Sequence, residues 1–266
     1  MRCAVLGSPI AHSLSPVMHR AAYAELGLDW MYDAVEVDEE GLEGFLDDLT
    51  DDWRGLSLTM PLKRVALDLV AKSSAVAKAV GSANTILLDG DGRGSGDNTD
   101  VPGAQAALRE RGIEARSARI VGGGATATSL GYALAGLGVR DVEFVVRDES
   151  RAERAAQVTR SAGADVTVQP LEHPLLEKVD LLVSTVPGEA IGSRSHELAE
   201  SSRAVFDVAY DPWPTPLIAA AEQAELPVVT GIDLLAHQAA LQVELMTGNV
   251  VDADLLRSAA LSTFAG

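Results

Sequence analysis

Apolar residues along this chain fall into two patterns: short unbroken bursts closed by Gly or Pro, and longer stretches where they recur every three or four positions. The first suits buried strands and the second helices with one inward face. Cys3–Leu6 is the first burst, followed by Gly7-Ser8-Pro9. Ser15-Pro16 then predicts a helix with Ser15 as N-cap and proline at the first helical position, ended by Gly27. Tyr32–Val37 alternates as a strand, and Leu42, Phe45, Leu46 and Leu49 mark one face of a helix. Gly55–Thr59 is a third strand, stopped by Met60-Pro61, with Lys63 in the first turn of the next helix. A lysine there meets an unfavourable helix dipole, which makes it a candidate for chemistry. Gly81–Thr85 leads into a strand at Ile86–Leu88, and Asp89–Gly92 reads as a hairpin turn. Asp100 is placed to cap a helix over Val101–Arg111.

The second half alternates strand and helix more plainly. Ala118–Val121 is a strand, Gly122-Gly123-Gly124-Ala125-Thr126-Ala127 a glycine turn opening a helix, and Val142–Val146 a second strand. This is the spacing of a dinucleotide-binding βαβ unit. Gly122 permits the tight turn, Gly124 lets the backbone approach a pyrophosphate, and Ala127 allows close helix packing, while the helix N-terminus offers N–H groups to phosphate. Arg147 and Arg151 follow the second strand, where an NAD enzyme usually has an acidic residue. Two guanidiniums suit a 2′-phosphate and favour NADP, although Asp148 lies between them. Further strands are expected at Ala164–Val168, Asp180–Ser184, Ala204–Val208 and Pro227–Val229, with helices at Ala152–Ala162 and from Thr215, as cap, to Ala224. Thr185-Val186-Pro187-Gly188 forms a turn suited to lie against a nicotinamide. Gly231 reads as a hinge-like break before two closing helices, Leu234–Met246 and Asp252–Leu261.

A net charge of −18 argues against a nucleic-acid or anionic-membrane partner, and the single cysteine, Cys3, excludes an internal disulfide. Ile120–Val139 carries no charge over twenty residues, but its six glycines fit a buried helix better than a membrane span. Nothing at the first residues reads as a signal peptide, so a cytoplasmic setting is expected. No His/Cys cluster has metal-ligand spacing, and no metal is expected.

Several blocks together resemble the shikimate dehydrogenase family: Ser13-Leu14-Ser15-Pro16, Leu58-Thr59-Met60-Pro61-Leu62-Lys63, Gly81-Ser82-Ala83-Asn84-Thr85, Asn98-Thr99-Asp100, Gly122-Gly123-Gly124-Ala125, Thr185-Val186-Pro187-Gly188, Asp207 with Tyr210 and Pro212, and Gly231 with Gln238. They stand in the family's order over nearly the whole chain. The resemblance implies two α/β domains: residues 1–101 with 235–266 for substrate and catalysis, and 102–234 as a Rossmann-type NADP-binding domain with a parallel sheet, the active site lying in the cleft. It implies NADPH-dependent reduction of 3-dehydroshikimate to shikimate, and the reverse. By the same resemblance Lys63 and Asp100 form the acid/base pair. Ser13 and Ser15 hold the substrate carboxylate; Thr59, Asn84 and Gln238 meet the ring oxygens; and Tyr210 lines the cleft. Gly122, Gly123, Gly124, Ala125, Arg147, Arg151, Thr185, Val208 and Gly231 serve the cofactor. The departures from the pattern are Met60, Ala83, Thr128 and Val146. The expected partner is a small molecule, with the protein a monomer or homodimer. A quinate/shikimate dehydrogenase tolerating NAD, and a non-catalytic NADP-binding regulator, are the alternatives; the second predicts loss of Lys63 or Asp100, and both are present.

Overall fold

The computed structural model describes residues 1–88, 93–172 and 177–264, so the Asp89–Gly92 turn lies outside the described residues. The chain forms two compact units, Met1–Gly103 with Leu235–Gly266, and Ala104–Leu234.

In chain order, the first unit begins β1 (Arg2–Gly7), α1 (Ser15–Glu25), β2 (Met31–Glu36), α2 (Leu42–Asp47), β3 (Trp53–Leu58), α3 (Val65–Leu69), β4 (Lys72–Ser73), α4 (Ala75–Val80), β5 (Thr85–Leu87), β6 (Ser95–Asp97) and α5 (Asp100–Glu110). Its sheet has the order β2-β1-β3-β5-β6-β4, in which β5 runs antiparallel to both neighbours. Ala4, Leu6, Leu56, Leu58 and Ile86 on these strands pack with Leu42, Leu46 and Leu62 into one buried cluster. The short α4 and β4 were not predicted. Local signals for α4 were nevertheless present: Ser74 accepts the Ala77 N–H at 3.1 Å, and Gly81 closes the helix with φ 64°.

The second unit continues β7 (Ser117–Val121), α6 (Ala125–Gly136), β8 (Asp141–Val146), α7 (Glu153–Ser161), β9 (Asp165–Pro170), β10 (Leu181–Ser184), α8 (Gly188–Ile191), α9 (Ser195–Glu200), β11 (Val205–Asp207), α10 (Pro216–Gln223) and β12 (Val228–Thr230). Its six strands are all parallel, in the order β12-β11-β10-β7-β8-β9. This is the doubly wound order, whose direction of winding reverses between β7 and β10. Buried on both faces, β10 needs its apolar run Leu181–Val183, whereas β7 carries one charge, the buried Arg119, which pairs with Glu143 of β8. The uncharged stretch becomes the end of β7, the glycine turn and the 12-residue α6. No helix among the described residues is long and apolar enough to cross a membrane.

The chain ends with α11 (Gly231–Thr247) and α12 (Ala253–Leu261). Gly231 is therefore the first residue of a 17-residue helix, not a break before one. A capping box explains the early start. Asp233 accepts from the Thr230 N–H at 2.9 Å, and Thr230 Oγ1 accepts from the Asp233 N–H at 3.1 Å. Glycine stands at 231 because a Cβ there would lie 2.3 Å from the Val208 carbonyl oxygen.

Candidate functional site

The residues expected around the substrate, Tyr210 excepted, belong to the first unit, and sheet topology gathers most of them at one edge. Ser13 and Ser15 follow the carboxyl end of β1, and Thr59 and Lys63 follow that of β3. Because β5 is antiparallel to β3, its start meets β3's end: the Leu58 N–H donates to the Asn84 carbonyl at 2.7 Å. Asp100 follows β6, and Gln238 descends from α11. Gly7 is required here, since a Cβ would lie 2.4 Å from Thr59 Cγ2.

The centre of this edge is the Asp100 carboxylate, fully buried. Lys63 Nζ donates to its Oδ2 at 2.7 Å, and Asn84 Nδ2 and Gln238 Nε2 donate to its Oδ1 at 2.8 and 2.7 Å. Lys63 is 14 % exposed, so its ammonium meets solvent only narrowly. Here the predicted helix cap is corrected. Asp100 is the first residue of α5, but Asn98 Oδ1 accepts the Val101 N–H at 3.2 Å. The carboxylate is thereby left to its three side-chain donors. Lys63 likewise precedes α3, in the turn after the Met60–Pro61 cis peptide bond, rather than lying in the helix.

A similar correction applies at α1. Leu14 is the N-cap residue and Ser15 the first of the helix; Ser13 Oγ accepts the Ser15 N–H at 3.3 Å. That leaves the Ser15 hydroxyl for other partners. Of the departures from the family pattern, Ala83 is buried, whereas Met60 is 67 % exposed beside Thr59.

In the second unit, the cofactor candidates follow the carboxyl ends of β7, β8, β10, β11 and β12. Gly122 has φ 116°, and a Cβ there would lie 2.3 Å from Thr185 Oγ1. Thr185 in turn donates both N–H and hydroxyl to the Val121 carbonyl. A Cβ at Gly123 would lie 2.5 Å from the Arg151 carbonyl oxygen, which seats Arg151 against the glycine turn. Gly124 is the extended N-cap of α6 with no side chain capping it, and a Cβ there would meet nothing within 4 Å. The first N–H groups of α6, beginning at Ala125, thus open onto free space, which fits a pyrophosphate. Thr128 does not reach that space, because its buried hydroxyl donates to the Gly124 carbonyl at 2.9 Å.

Arg147 and Arg151 are exposed just beyond β8. Asp148 between them is occupied locally: the hydroxyl and N–H of Ser150 donate to it at 2.7 and 3.1 Å and hold it below the usual carboxylate range. Val208 donates its N–H to the Ser184 carbonyl at 3.0 Å, next to Thr185. Tyr210 is half-buried, and desolvation pushes its phenol above the usual range. Asp207, at the end of β11, is raised by burial and accepts from the Thr215 hydroxyl at 2.7 Å, while Thr215 caps α10 as expected.

Sequence reading gave no role to the polar groups beneath Asp100, among them Thr99 of the Asn98-Thr99-Asp100 block, whose N–H donates to Asn84 Oδ1 at 2.8 Å. Among the described residues, no cluster of three His, Cys, Asp or Glu side chains could hold a metal ion.

A doubly wound unit with a glycine cradle at its switch point, joined in one chain to a sheet edge bearing a buried lysine–carboxylate pair, defines the class as a dinucleotide-binding dehydrogenase architecture. The comparisons with known proteins narrow it. A model of the shikimate dehydrogenase substrate binding domain matches residues 5–86, and one of the shikimate 5′-dehydrogenase C-terminal domain matches residues 231–261. The chain is 33 % identical over 270 residues to shikimate dehydrogenase (NADP(+)) of Methanosarcina mazei, covering 97 % of this chain and 96 % of that protein. It matches the crystal structure of Mycobacterium tuberculosis shikimate dehydrogenase with a TM-score of 0.89 at 37 % identity, over 98 % of this chain and 99 % of that one. The Thermus thermophilus enzyme in complex with NADP(H) and shikimate matches with a TM-score of 0.84 at 34 % identity, over 98 % and 99 %. The chain belongs to the shikimate dehydrogenase family.

Proposed function

We propose that this chain is an NADP-dependent shikimate dehydrogenase, catalysing the reversible reduction of 3-dehydroshikimate to shikimate on the route to the aromatic amino acids. The observation that carries the reading is the Lys63–Asp100 pair, 2.7 Å apart, with Asn84 and Gln238 donating to the same carboxylate. NADPH, when bound, supplies the hydride that reaches the ketone carbon. Lys63 stabilises the alkoxide oxygen and gives it a proton; in the reverse direction it takes the hydroxyl proton back. Asp100 keeps the ammonium in place and balances its charge, and its amide partners Asn84 and Gln238 orient the ring hydroxyls. The hydroxyls of Ser13 and Ser15 hold the carboxylate, Thr59 meets the ring, and Tyr210 shields it.

In the second unit, Gly122, Gly123, Gly124 and Ala125 receive the pyrophosphate. Arg147 and Arg151 bind the 2′-phosphate, the nearby carboxylate of Asp148 being taken up by Ser150. Thr185, Val208 and Gly231 border the nicotinamide. Residues 1–103 with 235–266 are thus the substrate domain and 104–234 the NADP domain, in a cytoplasmic monomer or homodimer.

The test is absorbance at the reduced-nicotinamide band, with shikimate or quinate each paired with NADP or NAD. Reduction with shikimate and NADP alone supports the proposal. Turnover of quinate or NAD at comparable rates replaces it by the broader quinate/shikimate activity, and no turnover in any mixture leaves a non-catalytic binder.

A further inference from the structure

Below Asp100 lies a run of buried polar side chains to which neither the family resemblance nor the proposed chemistry gives a role: Tyr32, Ser57, Gln242 and Thr85, the last of them closing the Gly81–Thr85 block. All four are at most 5 % exposed. The donor and acceptor roles along it are fixed by groups that can play only one part. The Thr99 N–H can only donate, and it meets Asn84 Oδ1 at 2.8 Å. Asn84 therefore presents its oxygen on that side and turns Nδ2 toward Asp100. The Thr85 hydroxyl, 2.9 Å from the same oxygen, must donate to it. Its own oxygen is then an acceptor, and Gln242 Nε2 fills it at 3.0 Å. The same Nε2 faces the Asn84 backbone carbonyl at 3.3 Å, a group that can only accept. With Nε2 so assigned, Gln242 Oε1 takes the Ser57 hydroxyl at 2.8 Å, and Ser57 accepts from Tyr32 at 2.6 Å.

Every proton in the run thus points one way, from Tyr32 through Ser57, Gln242, Thr85 and Asn84 to the Asp100 carboxylate. We propose that Gln242 is a positioning residue for the proposed reaction, acting through Thr85 to lock the Asn84 amide so that a donor always faces Asp100. The need for it is physical. An asparagine amide is nearly symmetric in shape, and a flip would set its carbonyl against a buried carboxylate and its NH₂ against the Thr99 N–H. One backbone donor opposes that flip, and the Thr85 hydroxyl doubles the opposition only while its proton is held toward Asn84. Gln242 holds it there by occupying the other side of the oxygen.

The inference rests on the proposed function only for its catalytic readout. Wild-type turnover of shikimate with NADP tests that function by itself. The positioning role is tested by Gln242→Met and Thr85→Val, which keep shape and remove the polar link, and by Thr85→Ser, which keeps the hydroxyl. Gln242→Met and Thr85→Val are each expected to lower kcat about tenfold, the scale of one lost buried hydrogen bond, with KM for NADP unchanged. The double variant should be no worse than about the poorer single one, because both act on the same link. Thr85→Ser should recover kcat to within about twofold of wild type. In parallel, the Asn84 side-chain amide resonances, read by NMR on the whole protein, should shift in Gln242→Met and Thr85→Val but not in Thr85→Ser. This readout needs no turnover. Loss of melting temperature with wild-type kcat and unmoved Asn84 resonances makes Gln242 a packing residue and overturns the inference, as does a Thr85→Ser variant as impaired as Thr85→Val.

Discussion

Lys63→Met removes a cation while keeping most of the stem. Breaking a buried ion pair by removing one partner costs about 3–5 kcal/mol, because the surviving charge stays out of water. The surviving charge here is Asp100, fully buried but still accepting from Asn84 and Gln238 at 2.8 and 2.7 Å. The lower end, about 3 kcal/mol, is therefore expected. With about 2–4 °C of melting temperature per kcal/mol for a domain of this size, the midpoint should fall by about 6–12 °C. Catalysis should suffer far more. A positioned general acid contributes about 10²–10⁴ in rate, so kcat should drop at least about a hundredfold. NADP affinity should hold, since Lys63 and the glycine cradle belong to different units. Initial rates at the reduced-nicotinamide band, calorimetric titration with NADP and thermal melts measure the three quantities. Adding Asp100→Asn removes the stranded charge and should recover part of the melting temperature without recovering rate. A Lys63→Met enzyme turning over within about threefold of wild type would refute the acid/base assignment.

Arg147→Ala should weaken NADP by about tenfold or more, the loss of a charge-assisted contact, and leave NAD nearly unchanged; equal weakening of both in titrations removes Arg147 from the 2′-phosphate. Acid should destabilise the protein through His19. Its Nδ1 donates to the Ser15 carbonyl, its ring stacks 3.9 Å from Tyr32, and its buried Nε2 has no partner among the described residues. Burial lowers its pKa from the ordinary 6.5 to about 4. The unfolded chain therefore binds the extra proton first, and stability is lost as pH falls from 6.5 toward 4, by about 3 kcal/mol in all. Urea midpoints across that window should fall less in His19→Asn; parallel slopes would clear His19.

The elements legible from sequence were those whose signals are local. A parallel strand buried on both faces is mostly apolar, and a turn with φ 116° requires glycine, so β7, the Gly122–Ala125 turn, α6 and β8 followed from the residues alone, although the charges within the two strands, Arg119 and Glu143, found each other only in the fold. The family's motifs likewise brought Lys63, Asn84, Asp100 and Gln238 forward as a set. Two helix starts went wrong although their cues were also local: Ser13, not Ser15, meets the first N–H of α1, and the Thr230–Asp233 box begins α11 at Gly231. At Asp100 the cue was ambiguous in principle, since aspartate is equally good as a cap and as a buried anion. What settled it was distance along the chain. The carboxylate's partners lie 16, 37 and 138 residues away, and Asn98 took the cap. Gln242 carried no signal at all, because a glutamine on an apolar helix face gains meaning only from the hydroxyls and carbonyl packed against it. The sequence determined the strands, the turn and the chemical inventory, which are properties of neighbours. The direction of each proton and the partner of each buried charge were decided only when the fold set remote groups within hydrogen-bond reach.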